Sequence, residues 1–193
     1  MKKIVVINNE FDKKKFLRKI KYYKSFFFRN CKFKLESNIK DSDLEVIITA
    51  LNIKNRKERI TFVYDSACKK IDDYNMNKNI CGFINGKCYT QRLNDKINGC
   101  CRKCNHQSNN GCTTSNLTCK LFNCSEVCKR IRTIKYEDLI ILKCLSINNR
   151  IILKHDYFSK REDVLKDLYL NSLILFTFRL IYRTLFKNLD FKR

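Results

Sequence analysis

The chain has 193 residues, of which 41 are Lys or Arg and 19 are Asp or Glu, so its formal net charge is +22; 44% of it is hydrophobic and 12% aromatic. That apolar content excludes a disordered chain, and the length supports one domain, or one domain with an inserted module, around a proper core. The charge points to a polyanionic partner, although 28 of the 41 basic residues are Lys, and the surplus of Lys, Asn, Ile, Phe and Tyr over Gly, Ala and Pro also matches AT-rich coding.

Residues 1–10 hold two lysines and one apolar run, Ile4, Val5, Val6 and Ile7. This run is too short for a signal-peptide core, so the expected compartment is the reducing cytoplasm. There, clustered cysteines are metal ligands or redox groups more often than disulfides. Residues 3–8 read as a short buried strand. Phe16, Leu17, Ile20, Tyr23 and Phe27 then keep helical spacing and predict a helix over 13–28. Its other face carries Lys13, Lys14, Lys15, Arg18, Lys19, Lys21 and Lys24, which suit phosphate contacts, with neighbouring aromatics stacking on bases. The plainer alternative is an amphipathic helix whose lysines are only solvated.

Ser42 and Glu45 have capping-box spacing, which favours a helix over 44–51, while the β-branched run Val46, Ile47, Ile48 and Thr49 favours a strand. Residues 58–64, with Ile60, Thr61, Phe62, Val63 and Tyr64, read as a strand that a hairpin through 54–57 would pair. Asp65 and Ser66 then read as the N-cap of a short helix ending near 73. Asp65 also has the placement of a catalytic carboxylate, with Asp72 and Asp73 nearby, but the cap is the preferred reading.

Residues 81–128 organise the rest. They contain Cys81, Cys88, Cys100, Cys101, Cys104, Cys112, Cys119, Cys124 and Cys128, together with all four glycines; the chain has no proline. Three Asn-Gly pairs, Asn85-Gly86, Asn98-Gly99 and Asn110-Gly111, each precede a cysteine by one or two residues. Asn-Gly suits a type I′ turn, so 82–89 predicts a two-residue hairpin in which Ile84 pairs with Lys87. Strand alternation would then make Cys81 and Cys88 diagonal neighbours on one face.

Cys101 and Cys104 form a CxxC pair, whose two-residue loop brings both thiolates to one metal and whose N–H groups can donate to sulfur. His106 is a candidate replacement for one thiolate. Nine cysteines and one histidine are enough for two four-coordinate zinc sites, with an iron–sulfur cluster as the alternative cofactor and an extracellular disulfide scaffold as a third reading. The spacings match neither a zinc ribbon nor a bacterial ferredoxin run. Cys31, Cys68 and Cys144 stand alone and read as buried structural cysteines. Outside 81–128 there is no glycine, which excludes P-loop and dinucleotide fingerprints.

Beyond the cluster, Ser125 predicts a short helix that would set Cys124 and Cys128 one turn apart. Residues 142–147 and 150–154 flank Asn148-Asn149 as a hairpin, against a competing helix over 136–145. His155-Asp156 reads as a surface pair. Ser159 and Glu162 form a second capping box that opens one long helix over 160–189. Its uncharged run, 168–178, is too short for a membrane span, which needs roughly 17 residues or more. Arg179, Arg183 and Lys187 make a basic stripe amid Leu173, Ile174, Phe176, Phe178, Ile181 and Phe186. Such a face is core, a homo-oligomer seam or a membrane-surface helix.

The expected fold is therefore α+β: a small sheet and helices, an irregular cysteine-rich metal-binding insert and a long C-terminal helix. The expected division is a basic α/β part at 1–75, the cysteine-rich module at 76–133 and a mainly helical part at 134–193, with the outer two packing as one domain. The expected function is a zinc-binding module that engages nucleic acid or a protein partner, with no catalytic residue assigned.

Overall fold

The computed structural model describes residues 2–25, 28, 30–93, 107–108, 111–157 and 159–190. Cys100, Cys101, Cys104, His106, the Asn98-Gly99 turn and Asn110 lie outside the described residues.

The chain opens as strand β1 (Lys2–Ile7), helix α1 (Glu10–Tyr23) and strand β2 (Lys32–Ser37). The strands are parallel, with Lys3 opposite Phe33 and Val5 opposite Leu35. Parallel strands need a crossover, and α1 supplies it. Alternation turns Val5, Ile7 and Phe33 into the core and leaves Ile4 and Val6 exposed. Asn9 starts α1, its side chain accepting from the Asp12 N–H at 2.9 Å. Phe16 and Ile20 are buried, as their spacing predicts, but the helix begins three residues earlier than expected and ends at Tyr23.

Helix α2 (Ser42–Asn52) resolves the first ambiguity in favour of helix, although its cap is Asp41 rather than Ser42. Helix α3 (Arg56–Lys78) overturns three expectations together: the strand over 58–64, the hairpin through 54–57, and the cap at Asp65 and Ser66. Asn55 starts this helix by accepting from the N–H groups of Lys57 and Glu58 at 2.8 and 3.3 Å. Ile60, Val63, Tyr64, Ala67, Cys68 and Ile71 recur at steps of three and four and are all buried. One buried stripe along about three helical turns, from Ile60 to Ile71, outweighs the β-preference of a few branched residues, which is worth at most about 1 kcal/mol.

Two 3₁₀ turns, Tyr136–Asp138 and Ile140–Cys144, precede helix α7 (Ile147–His155). The hairpin across Asn148-Asn149 does not form, because Ser146 caps α7 through the Asn149 N–H at 3.1 Å and both asparagines lie in its first turn. The expected single C-terminal helix is two, α8 (Arg161–Leu170) and α9 (Leu173–Asp190), separated where Asn171 takes φ 55. Ser159 caps nothing there; its hydroxyl contacts Asp156, Arg179 and Arg183. The surface pair His155-Asp156 is half corrected, since Asp156 is only 1% exposed.

One apolar cluster draws on β1, β2 and α1–α3 and on residues 134–176, with Leu117 inserted from the cysteine-rich segment. The molecule is thus mainly helical with a small two-stranded parallel sheet, an α+β arrangement. Among the described residues no helix is long and apolar enough to cross a membrane.

Candidate metal centre

The expected turn at Asn85-Gly86 is present. Both residues have positive φ, 51 and 75, as a type I′ turn requires, and Ile84 and Lys87 exchange N–H···O bonds of 3.1 Å. The strand pairing expected beyond that bridge does not continue, because Gly82 at φ 57 bends the chain and Tyr89 opens helix α4 (Tyr89–Leu93). Cys81 and Cys88 are nevertheless held together, since the Tyr89 N–H donates to the Cys81 carbonyl at 2.9 Å. Gly82 is needed for its left-handed backbone, and a Cβ there would meet Tyr89 Cβ at 3.6 Å and the Arg130 guanidinium at 3.7 Å.

Helix α6 (Ser125–Arg130) returns onto this turn from the other end of the segment. Cys124, not Ser125, is its N-cap, and the Cys124 sulfur lies 3.4 Å from the buried Thr90 hydroxyl. Arg130 stacks 3.7 Å over the Tyr89 ring and donates to the Ile80 carbonyl at 3.2 Å. Arg92 clamps the same turn through the Gly82 carbonyl at 2.7 Å. A two-residue antiparallel ladder, β3 (Gln107–Ser108) with β4 (Gly111–Cys112), leads into Cys112.

Electrostatics reports the same grouping. Burial first, and then the neighbouring thiols of Cys88, Cys124 and Cys112, push the Cys81 thiol up to about 11, while Arg130 opposes the shift. Thiols from three separate stretches thus act electrostatically on Cys81. They are not closed on a common point: among the described residues no three His, Cys, Asp or Glu side chains are set to hold a metal ion. The donor set itself fits tetrahedral zinc, with four sulfurs, a hydroxyl beside one of them and a guanidinium at the margin to offset thiolate charge.

The other two described candidates are Cys128 and Cys119. Cys128 is one turn from Cys124, as predicted, yet it is exposed and its thiol turns to the Asn123 carbonyl at 3.8 Å. Cys119 sits half-buried in helix α5 (Leu117–Leu121), where the Asn116 side chain accepts from its N–H at 2.9 Å. Asn116 also donates to the Ser159 carbonyl at 3.2 Å, and the Tyr64 hydroxyl donates to the Ser115 carbonyl at 2.7 Å. These bonds fasten the segment after Cys112 to α3 and to the start of α8.

Sequence reasoning missed Thr90, Arg92 and Arg130. No sequence signal pointed to them, because the Thr90–Cys124 and Arg130–Ile80 contacts join residues 34 and 50 positions apart. No disulfide joins Cys31, Cys68, Cys81, Cys88, Cys112, Cys124, Cys128 or Cys144 to one another. Cys31, Cys68 and Cys144 are buried, and burial pushes Cys68 and Cys144 up to about 12, so neither offers a thiolate near neutrality. Asp65 is neither cap nor free carboxylate: Arg161 holds both its oxygens, at 2.8 and 2.6 Å. Asp72 pairs with Lys120 at 2.6 Å.

The basic face of α1 divides. Lys14, Lys15, Arg18, Lys19 and Lys21 are exposed, beside Phe11 and Tyr22, which are 74% and 55% exposed. Lys13 pairs with Asp41 at 2.8 Å, and Lys24 is turned inward, donating to the carbonyls of Cys144 and Leu145 at 3.0 and 3.1 Å. No family model, curated protein or solved structure matches the chain.

Proposed function

We propose that this protein is a zinc-binding interaction module in which Cys81, Cys88, Cys112 and Cys124 hold one zinc ion. The observation that supports this reading is that thiols from three stretches of chain, Cys88, Cys124 and Cys112, all act electrostatically on Cys81, beside a turn built by Gly82, Asn85 and Gly86 and with the Cys124 sulfur against Thr90. A modest closure about the metal would complete a tetrahedral set and pin α6 to the Asn85-Gly86 turn. Cys100, Cys101, Cys104 and His106 supply the donors for a second site. The metal acts as a structural clamp, with no reaction assigned to it.

The exposed face of α1 is basic, and its partner is nucleic acid, engaged by Lys14, Lys15, Arg18, Lys19 and Lys21 with Phe11 and Tyr22 stacking on bases. An acidic protein surface is the competing partner, and competition by unlabelled nucleic acid separates the two.

Anaerobic purification followed by metal and sulfide analysis tests the centre. A colourless protein with at least one zinc per chain is expected, Cys81→Ser and Cys124→Ser each lowering the count by one and Cys128→Ser leaving it unchanged. A brown protein carrying iron and acid-labile sulfide would replace zinc with an iron–sulfur cluster. Metal-free protein with mostly oxidised cysteines would return the segment to a disulfide scaffold.

A further inference from the structure

Helix α9 has its charges on the inside and its apolar side chains on the outside. Arg179 pairs with Asp156 at 2.8 Å and also with Asp167, and Arg183 reaches the Ser159 hydroxyl at 2.5 Å and Asp156 at 3.6 Å. Phe176 and Leu180 share that inner side. The outer side presents Ile174, Phe178, Ile181 and Leu185, which are 70%, 66%, 49% and 59% exposed. They follow one another at steps of four, three and four residues, the a/d alternation of a two-helix seam. Leu175 and Tyr182, also exposed, flank the row.

We propose that this row is a homodimer seam, in which α9 of one chain packs against α9 of a second copy. Size supports it: covering these six side chains removes roughly 600–700 Å² from each chain, about 1,300 Å² in total, within the range of stable interfaces and above the ~600 Å² of the largest apolar patch on a typical monomer. Charge supports it as well. A two-fold axis brings a residue close to its own copy, and the seam positions are all uncharged. Arg179 and Arg183, which would repel their counterparts there, are held on the far side by Asp156 and Asp167. That same placement argues against a lipid surface, since a membrane-lying helix uses Lys and Arg beside its apolar face to reach headgroup phosphates.

Sedimentation of the full-length protein tests the seam, run up to about 100 µM because interfaces of this size reach micromolar affinity or better. The expected mass is twice the 23.2 kDa of one chain. The dimer tightens as salt rises, because the two chains of charge +22 repel one another and salt screens them. Phe178→Glu and Ile181→Glu each weaken dimerisation at least tenfold while the helical circular dichroism is unchanged. Ile174→Ser, a milder change at the same seam, shifts it in the same direction should a glutamate variant fail to fold. A wild type that stays monomeric overturns the proposal, and so does a dimer indifferent to all three substitutions. Monomer that instead co-sediments with phosphatidylserine-containing vesicles, and is released by salt, assigns the face to a membrane. Cys81→Ser protein that loses zinc and still dimerises keeps this result separate from the metal reading.

Discussion

Helices α1 and α9 are made of the same material, apolar side chains at helical spacing with a basic stripe, and they present opposite faces to the protein. In α1 Phe16 and Ile20 go inward and the lysines outward. In α9 Arg179 and Arg183 go inward while Ile174, Phe178 and Ile181 stay outside. The difference lies in what each helix lands on. Under α1 are Val5, Ile7, Phe33 and a ring cluster in which Tyr23 meets Phe16 and Phe33 at centroid distances of 5.8 and 5.5 Å. Under α9 are Asp156, Ser159 and Asp167, each at most 6% exposed. Buried carboxylates without cations are costly, so that surface selects the arginine stripe. Periodicity establishes that a helix has two faces, and the chemistry of the docking surface decides which one turns in.

The contrast can be broken from either side. Asp156→Ala strips the main partner from two half-buried arginines, and unfolding should show a loss of about 3–5 kcal/mol. Arg179→Met should cost a similar amount, since it leaves the buried Asp167 carboxylate without its cation and takes one of two arginines from Asp156. On α1 the matching large effect comes from an apolar deletion: Phe16→Ala should cost about 3–5 kcal/mol.

Lys24, the C-cap of α1, sharpens the comparison, since it turns inward as the arginines of α9 do. Lys24→Met leaves the carbonyls of Cys144 and Leu145 without their donor and should cost about 1–3 kcal/mol at neutral pH. Burial pulls the Lys24 ammonium from its ordinary value of 10.5 down to about 8. Between these two values the unfolded chain still holds the proton that the folded chain has released, so stability linked to this group rises with pH. The wild type should therefore gain on Lys24→Met as pH climbs from about 8 to 10.5, read from paired denaturant titrations. The smallest stability effect belongs to the outer face of α1: Lys14→Gln with Lys19→Gln should move unfolding by within about 0.5 kcal/mol. The same pair should flatten the salt dependence of nucleic-acid binding by about two phosphate contacts.

Local chemistry was legible wherever it needed few partners. The strand at Val5 and Ile7, the buried stripe of α1 and the turn at Asn85-Gly86 follow from side-chain periodicity and the backbone freedom of one Asn-Gly pair. The burial of Cys31, Cys68 and Cys144 was legible because a lone cysteine behaves as a small apolar side chain. Helix α3 was misread at Ile60–Val63 because alternation and helical spacing coincide over so short a stretch, and only the stripe continuing through Ala67 and Ile71 separates them. The break at Asn171 was missed since a single left-handed residue leaves no mark on composition. In the cysteine segment, spacing alone did not show that α6 returns to the Asn85-Gly86 turn, which rests on Arg130 against Tyr89 and Ile80.

The sequence by itself determined that residues 81–128 are a thiol-rich segment with a tight turn at Asn85-Gly86, and that both ends of the chain carry amphipathic helices. Those properties reside in single residues and their near neighbours. Tertiary structure alone decided how α6 returns to the Asn85-Gly86 turn, through Arg130 on Tyr89 and Thr90 beside Cys124, and which face of α9 is left exposed. Both depend on contacts between residues distant in the chain, where burial of a carboxylate or a thiol in one element sets what another must offer.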